Sequence, residues 1–173
     1  MPQPTGAELT AVRERRRQLR DTYLADKADR PASTARGIHH AAFVCRDVEE
    51  TIRFYQDFLG FPLVELVENR DYIGSSHFFF DLGNRNLLGF FDFPGHPHQD
   101  YVETIGAVQH LALSVDAEHF AAIKAKLDAE GVDYLGPDRG ADDSLYVRDP
   151  NGVGLEFYQE ELGIFAGQSL HLG

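Results

Sequence analysis

The sequence predicts an α+β protein of two β-α-β-β-β modules preceded by a helix. Three observations predict it. First, the segment 38–44, Ile-His-His-Ala-Ala-Phe-Val, returns at 108–114 as Val-Gln-His-Leu-Ala-Leu-Ser, so that His40 falls on His110, Ala42 on Ala112 and Phe43 on Leu113. Second, each segment runs into an Asp (Asp47, Asp116), a helical pattern and a closing Gly (Gly60, Gly131), residue types that cap helices. Third, each helical pattern is followed by three strand-like stretches, and a slide of 67 residues lays Asn84 on Asn151, Leu88 on Leu155, Gly89 on Glu156 and Phe90 on Phe157.

In chain order, residues 7–27 are good helix formers with Leu9, Val12, Leu19 and Leu24 as a sparse apolar stripe. This helix is expected to pack loosely on the body or on a partner chain. Residues 28–36 read as a linker of Pro and small polar residues, so 1–36 form the N-terminal helix and linker. The first module, 37–92, has a helix Val48–Leu59 with Ile52, Tyr55 and Leu59 on its apolar face, then strands at about 62–68, 77–82 and 86–92. A linker, 93–106, leads to the second module, 107–160. There the helix Ala117–Glu130 turns Phe120, Ile123 and Leu127 inward, and strands are expected at about 132–135, 144–148 and 153–159. The last two are joined by Asp149-Pro150-Asn151-Gly152, where Pro fixes one φ and Asn-Gly tolerates positive φ. Residues 161–173 form a C-terminal tail.

With 173 residues, 43% apolar and 25% charged, the chain has the make-up of an ordinary globular protein with enough apolar material for a core. No apolar run approaches the ~18 residues of a membrane span, so no membrane partner is expected. The first twenty residues lack the apolar stretch of a signal peptide, which makes the cytoplasm the default location. The single cysteine, Cys45, excludes an internal disulfide and a Cys-rich zinc site, and reads as a small buried hydrophobe. Residues 1–35 carry a net charge of +2 and the remainder −14. So acidic a body would repel phosphate backbones, which argues against a nucleic-acid partner. The run Arg13-Glu14-Arg15-Arg16-Arg17 reads as a solvated helix face.

Strands alternate faces, and parity sorts the candidate site. His40 shares a face with Ala42 and Val44, against Phe43 and Cys45; His110 shares one with Ala112 and Ser114, against Leu111 and Leu113. The bulky set should pack under the helices, leaving the His faces open to a concavity. Glu156 and Tyr158 share a face opposite Leu155 and Phe157, and a carboxylate in so apolar a strand is costly unless paired or bound to a cation. One strand histidine alone is as readily a hydrogen-bonded core residue. Two at repeat-related positions, with a carboxylate, make the two-His-one-carboxylate pattern that suits Fe(II), Mn(II), Zn(II), Ni(II) or Co(II) and leaves coordination positions open.

The segment 37–61, with its strand His, then Asp, then a Phe-Tyr and Leu-Gly helix end, resembles the opening of a vicinal-oxygen-chelate protein. That superfamily holds glyoxalase I, extradiol dioxygenases, fosfomycin-resistance transferases and bleomycin-binding proteins. Arg148-Asp149-Pro150-Asn151-Gly152-Val153-Gly154-Leu155-Glu156-Phe157 resembles its closing hairpin, and the resemblance covers residues 37 to about 160. It implies a cupped, mostly antiparallel sheet around a metal held by His40, His110 and Glu156, with His39 pointing away as a structural residue. Glyoxalase I usually adds a fourth ligand where this chain has Gly89, so three ligands resemble the extradiol dioxygenases and the fosfomycin enzymes. The latter carry basic residues for a phosphonate, whereas the second module here is strongly acidic. The reading is a divalent-metal-dependent oxidoreductase of extradiol-dioxygenase type, with Fe(II) or Mn(II) favoured, acting on a small molecule with vicinal oxygens. The alternatives are a glyoxalase-type lyase or isomerase, which needs no O₂, and a metabolite- or drug-binding resistance protein. Tyr158 is expected to line the pocket and assist acid–base chemistry, His77 to act as an acid–base group, and Phe91 to line the substrate pocket. His96 and His98 read as solvated linker. A homodimer is expected, because sheet edges must be paired or covered.

Overall fold

The computed structural model describes residues 3–137, 144–159 and 164. The chain divides into a body, Gly37–Glu161, and a second unit to which residues 1–36 belong. In the second unit α1 runs Gly6–Tyr23, with Glu8 in its first turn and Arg20 in its last, the charges that suit the helix dipole. An Arg17–Glu14 pair at 2.9 Å adds a contact one turn apart, and no residue of α1 is buried. The tail expected at 161–173 lies outside the described residues except for Ile164. No described helix is long and apolar enough to cross a membrane.

The first module begins with β1 (His40–Cys45), and Asp47 then caps α2 (Val48–Ile52) by accepting from the Glu50 N–H at 2.7 Å. The single α-helix expected to Leu59 instead widens into a π-helical turn over Arg53–Phe58. Burial explains the widening. Thr51, Tyr55 and Leu59, each four residues from the last, are all buried, and a wider turn than the α-helix keeps them on one face. β2 (Leu63–Glu68), β3 (Ser76–Asp81) and β4 (Leu87–Asp92) complete the module. The sheet order is β1-β4-β3-β2, with β1 and β4 parallel and the other neighbours antiparallel.

The second module repeats the plan with β5 (Leu111–Ser114), α3 (Ala117–Glu130), β6 (Tyr134–Leu135), β7 (Ser144–Arg148) and β8 (Gly154–Tyr158). Its order is β5-β8-β7-β6, again with the first pair parallel. Asp116 caps α3, and Gly131 ends it in the left-handed region at φ 65°, where glycine carries no Cβ penalty. The modules therefore hold two four-stranded mixed sheets, an α+β fold.

Parity sorts the faces as the sequence implies. Phe78, Phe80, Phe90, Leu145, Leu155 and Phe157 are fully buried with Tyr55, and one apolar cluster runs through both modules. The opposite faces carry His40, Ala42, His77, Phe79, Gly89 and Phe91 in the first sheet, and Ala112, Tyr146, Glu156 and Tyr158 in the second. A polar clasp also joins the modules. The Asp149–Gly152 turn sets Asp149 Oδ2 to accept from the buried Tyr55 hydroxyl at 3.0 Å. Asn151 donates to Thr51 Oγ1 at 3.1 Å and accepts from the Arg46 N–H at 2.9 Å. Burial pushes the Asp149 carboxyl pKa up against its hydrogen bonds from Val153, Asn151 and Tyr55, and burial likewise raises that of Tyr55.

Candidate metal centre

The last two strands of the second module position the carboxylate. Leu155 and Phe157 bury one face of β8, which turns Glu156 to the other, where its side chain is 12% exposed. Its two oxygens are both engaged: Oε2 stands 2.9 Å from His110 Nε2, and Oε1 accepts from the Tyr146 hydroxyl at 2.5 Å. Tyr146 lies directly across from Glu156 on β7, and its ring meets His110 edge-on at 5.7 Å. His110 itself falls just before β5. Its Nδ1 lies against Gln109 Oε1, an acceptor, which holds the Nδ1 proton there and turns Nε2 towards Glu156.

The first module repeats part of this arrangement. His40 opens β1, and its Nδ1 lies 2.9 Å from Nδ1 of His39. The expectation that His39 points away from its neighbour is not met: it precedes the strand, so strand parity does not govern it, and it engages His40 instead. Each candidate ligand thus has its Nδ1 held by the residue before it. This is how ligating imidazoles are oriented with Nε2 left for a metal. Neither His39 nor Gln109 could be found by face counting; the signal available was their place one residue before each repeat histidine. Tyr146 could have been found as the slide partner of Phe79.

His77 lies beyond His40 on β3, stacked on Phe91 with ring centroids 3.8 Å apart. Its Nε2 is buried without a hydrogen-bond partner, and burial, then the nearby His40, lowers its pKa. Phe91 and Phe79 wall the same face, and the Phe79 ring packs over Gly89: a Cβ there would stand 3.0 Å from Phe79 Cε1. Tyr158 shares the Glu156 face and is half-buried. The structure therefore brings together His110, Glu156 and Tyr146 on one sheet, and His40, His77, Phe79 and Phe91 on the other. Among the described residues no three His, Cys, Asp or Glu side chains gather closely enough to hold a metal. His96 and His98 line a separate cavity of about 410 Å³ with Arg46 and Asp92. Cys45 is buried and its thiol pKa is pushed up to about 11, first by desolvation. An imidazole Nε2 converging on a shielded carboxylate suits a borderline divalent cation.

Paired βαβββ modules with an imidazole–carboxylate pair on an open sheet face define a class of small-molecule-handling proteins. Residues 37–157 match the Glyoxalase/Bleomycin resistance protein/Dioxygenase superfamily, and the chain belongs to it. Superfamily members act on or bind small molecules, and the family includes enzymes. Over 64 residues the chain is 41% identical to the "Putative ring-cleaving dioxygenase MhqE" of Bacillus subtilis, a match of 34% of this chain and 20% of that protein. It is 27% identical over 123 residues to "Glyoxylase I 4" of Arabidopsis thaliana, 69% of this chain and 68% of that one. Among solved structures it is similar to a "putative dioxygenase" of Bacillus subtilis, with a TM-score of 0.65 and 27% identity over 75% of this chain and 42% of that one. It shares the fold of a glutamate-to-glutamine variant of the fosfomycin resistance protein FosX from Listeria monocytogenes, complexed with Mn(II) and a dihydroxypropylphosphonic acid. There the TM-score is 0.59 and the identity 18%, over 76% and 98% of the two chains. The chain thus spans a fifth to two fifths of its dioxygenase relatives, and the named relatives lie on several branches of the superfamily.

Proposed function

We propose that the protein is a divalent-metal-dependent oxidoreductase of extradiol-dioxygenase type, acting on a small substrate with vicinal oxygens. His40, His110 and Glu156 would hold the metal, with Fe(II) or Mn(II) favoured and Zn(II), Ni(II) or Co(II) as other occupants. The observation that carries this reading is the matched pair of second contacts: His39 on His40 Nδ1 and Gln109 on His110 Nδ1 leave Nε2 as each ring's remaining donor atom, and that of His110 faces Glu156 at 2.9 Å. Because His40 stands on the other sheet, we infer that a second copy of the chain supplies it, so that the working unit is a homodimer. When bound, the metal supplies Lewis acidity and a template for two adjacent oxygens.

The chain's own residues do the rest. Tyr146 holds one Glu156 oxygen and so fixes which one faces the cation. His77, its Nε2 free and its neutral form favoured, takes a proton from a substrate hydroxyl. Phe91 and Phe79 give a planar ring an apolar wall, and Tyr158 donates to a substrate oxygen. Phe79 also favours the oxygenase branch over the glyoxalase type, because its ring fills the place where a fourth protein ligand would grow from Gly89. The similarity to "Glyoxylase I 4" keeps a lyase or isomerase as the second reading.

The test is oxygen uptake by Fe(II)-loaded protein against a panel of catechols, with metal content measured in parallel. Uptake is expected, with about one ion per chain that is lost in His110→Ala and Glu156→Ala. Metal retained at full stoichiometry by a His40→Ala, Glu156→Ala double variant would end the ligand assignment. No uptake on any catechol, with metal-dependent isomerisation of a hemithioacetal, would move the protein to the second reading.

A further inference from the structure

The cavity beside His110 has about 640 Å³ of space, within the range of a small-molecule site, and its wall includes one strongly basic side chain, Arg148. Arg148 sits in a body whose sequence carries eight Lys and Arg against twenty-three Asp and Glu, yet it makes no ion pair among the described residues. It is nonetheless held in place. Nη1 donates to the Gly152 carbonyl at 2.8 Å, and the guanidinium carbon lies 4.5 Å from the centre of the Tyr101 ring. These two contacts fix the guanidinium plane and leave the edge formed by Nε and Nη2 uncommitted, the edge that takes a planar anion with two parallel hydrogen bonds.

Arg148 and His110 stand at the two ends of one row across the sheet. Arg148 pairs across the sheet with Gly154, which has no side chain. Gly154 in turn lies against His110: a Cβ on it would stand 3.4 Å from His110 Cβ and 2.8 Å from the Gln109 carbonyl oxygen. The row Arg148–Gly154–His110 thus spans two strand spacings, roughly 10 Å, and Gly154 places no side chain between its ends. A ring whose vicinal oxygens lie at the His110–Glu156 end would carry a substituent on its far side to Arg148. Val132 and Leu135 in the same wall suit the ring itself. Asp133 also lines the cavity, and its carboxylate disfavours a dianion such as a phosphonate over a singly charged group.

We propose that the substrate of this site bears a carboxylate on the side opposite its vicinal oxygens, and that Arg148 is the residue that selects for it. This rests on the chelate reading above. It is tested by calorimetric titration of Mn(II)-loaded protein, without oxygen, with 3,4-dihydroxybenzoate and with its neutral isostere 3,4-dihydroxybenzamide. The wild type is expected to bind the acid about tenfold tighter or more, the range of a charge-assisted pair. In Arg148→Gln, which can still donate to the Gly152 carbonyl, that preference should vanish while amide binding and metal content stay as they were. Equal binding of acid and amide by the wild type overturns the proposal, as does a preference that survives in Arg148→Gln. Should Arg148→Gln fail to hold metal, the wild-type acid-to-amide ratio decides alone. If neither diol binds, the chelate reading falls and this inference with it, whereas binding without preference removes this inference only.

Discussion

The two modules share one scaffold and put it to different uses. In the second, the cross-strand pair Tyr146–Glu156 faces outward with His110 edge-on to the tyrosine at 86°. In the first, the same row holds Phe79–Gly89, with His40 edge-on to the phenylalanine at 80°. One row ends in a carboxylate tethered by a hydroxyl. Its counterpart ends in bare backbone covered by a ring. The difference is a phenol oxygen and a carboxylate, and it separates a carboxylate-bearing half from an apolar wall. A repeated fold can therefore keep its core apolar while its open face diverges row by row, since face residues contribute little to burial.

The largest effect should come from the cores, where the modules are alike. Phe90→Ala and Phe157→Ala, each at a position with 0% exposure, should each cost ~3–5 kcal/mol in denaturant unfolding. Because one cluster spans both modules, either change should shift a single transition of the body. Separate transitions for the two halves would break the picture of a shared core. Next comes the row where they differ. Gly89→Glu should lose ~1–3 kcal/mol from overpacking against Phe79, and Phe79→Ala in the same chain should recover part of it. An undiminished melting midpoint in Gly89→Glu would show that the ring yields freely.

Tyr146→Phe should leave the fold intact and weaken metal binding about tenfold, the scale of a lost contact to a metal ligand. The reciprocal Phe79→Tyr should leave metal binding unchanged, and a competition titration reads both. The smallest effect concerns the clasp. Burial raises the Asp149 pKa, so its contribution is fullest while the carboxyl is protonated, below an ordinary value of about 4. It is lost as pH rises through the raised value. Asp149→Asn should flatten that part of the stability–pH curve, and an unchanged slope would assign it to another group.

The fold was legible because both of its signals are periodic. The repeat of His40 on His110 and the alternation around Phe90 and Phe157 report backbone geometry directly. The helix starts were legible from Asp47 and Asp116, whose side chains do accept from the first-turn amides. The widened turn over Arg53–Phe58 was not legible, since Ile52, Tyr55 and Leu59 fit an α-helical face as well as Thr51, Tyr55 and Leu59 fit the broader one. At the site, parity identified the faces of His40 and Glu156, while that of His77 stayed open by one residue. It missed His39 and Gln109, which lie outside strands, and it said nothing of distance between sheets. Alternation orders residues along a strand; only packing decides which two sheets meet.

The clasp has a consequence for how the chain could be cut. Among the described residues the hydrogen bonds between the modules run from the Asp149–Gly152 turn to Tyr55, Thr51 and Arg46, with one more from Lys126 Nζ to the Phe58 carbonyl, and none of them uses residues 93–106. The covalent connection is thus redundant with a non-covalent one of buried polar groups set in a shared apolar cluster. Two separately made polypeptides, divided near Gly95, carry matching halves of that fastening. They should find each other and rebuild the body.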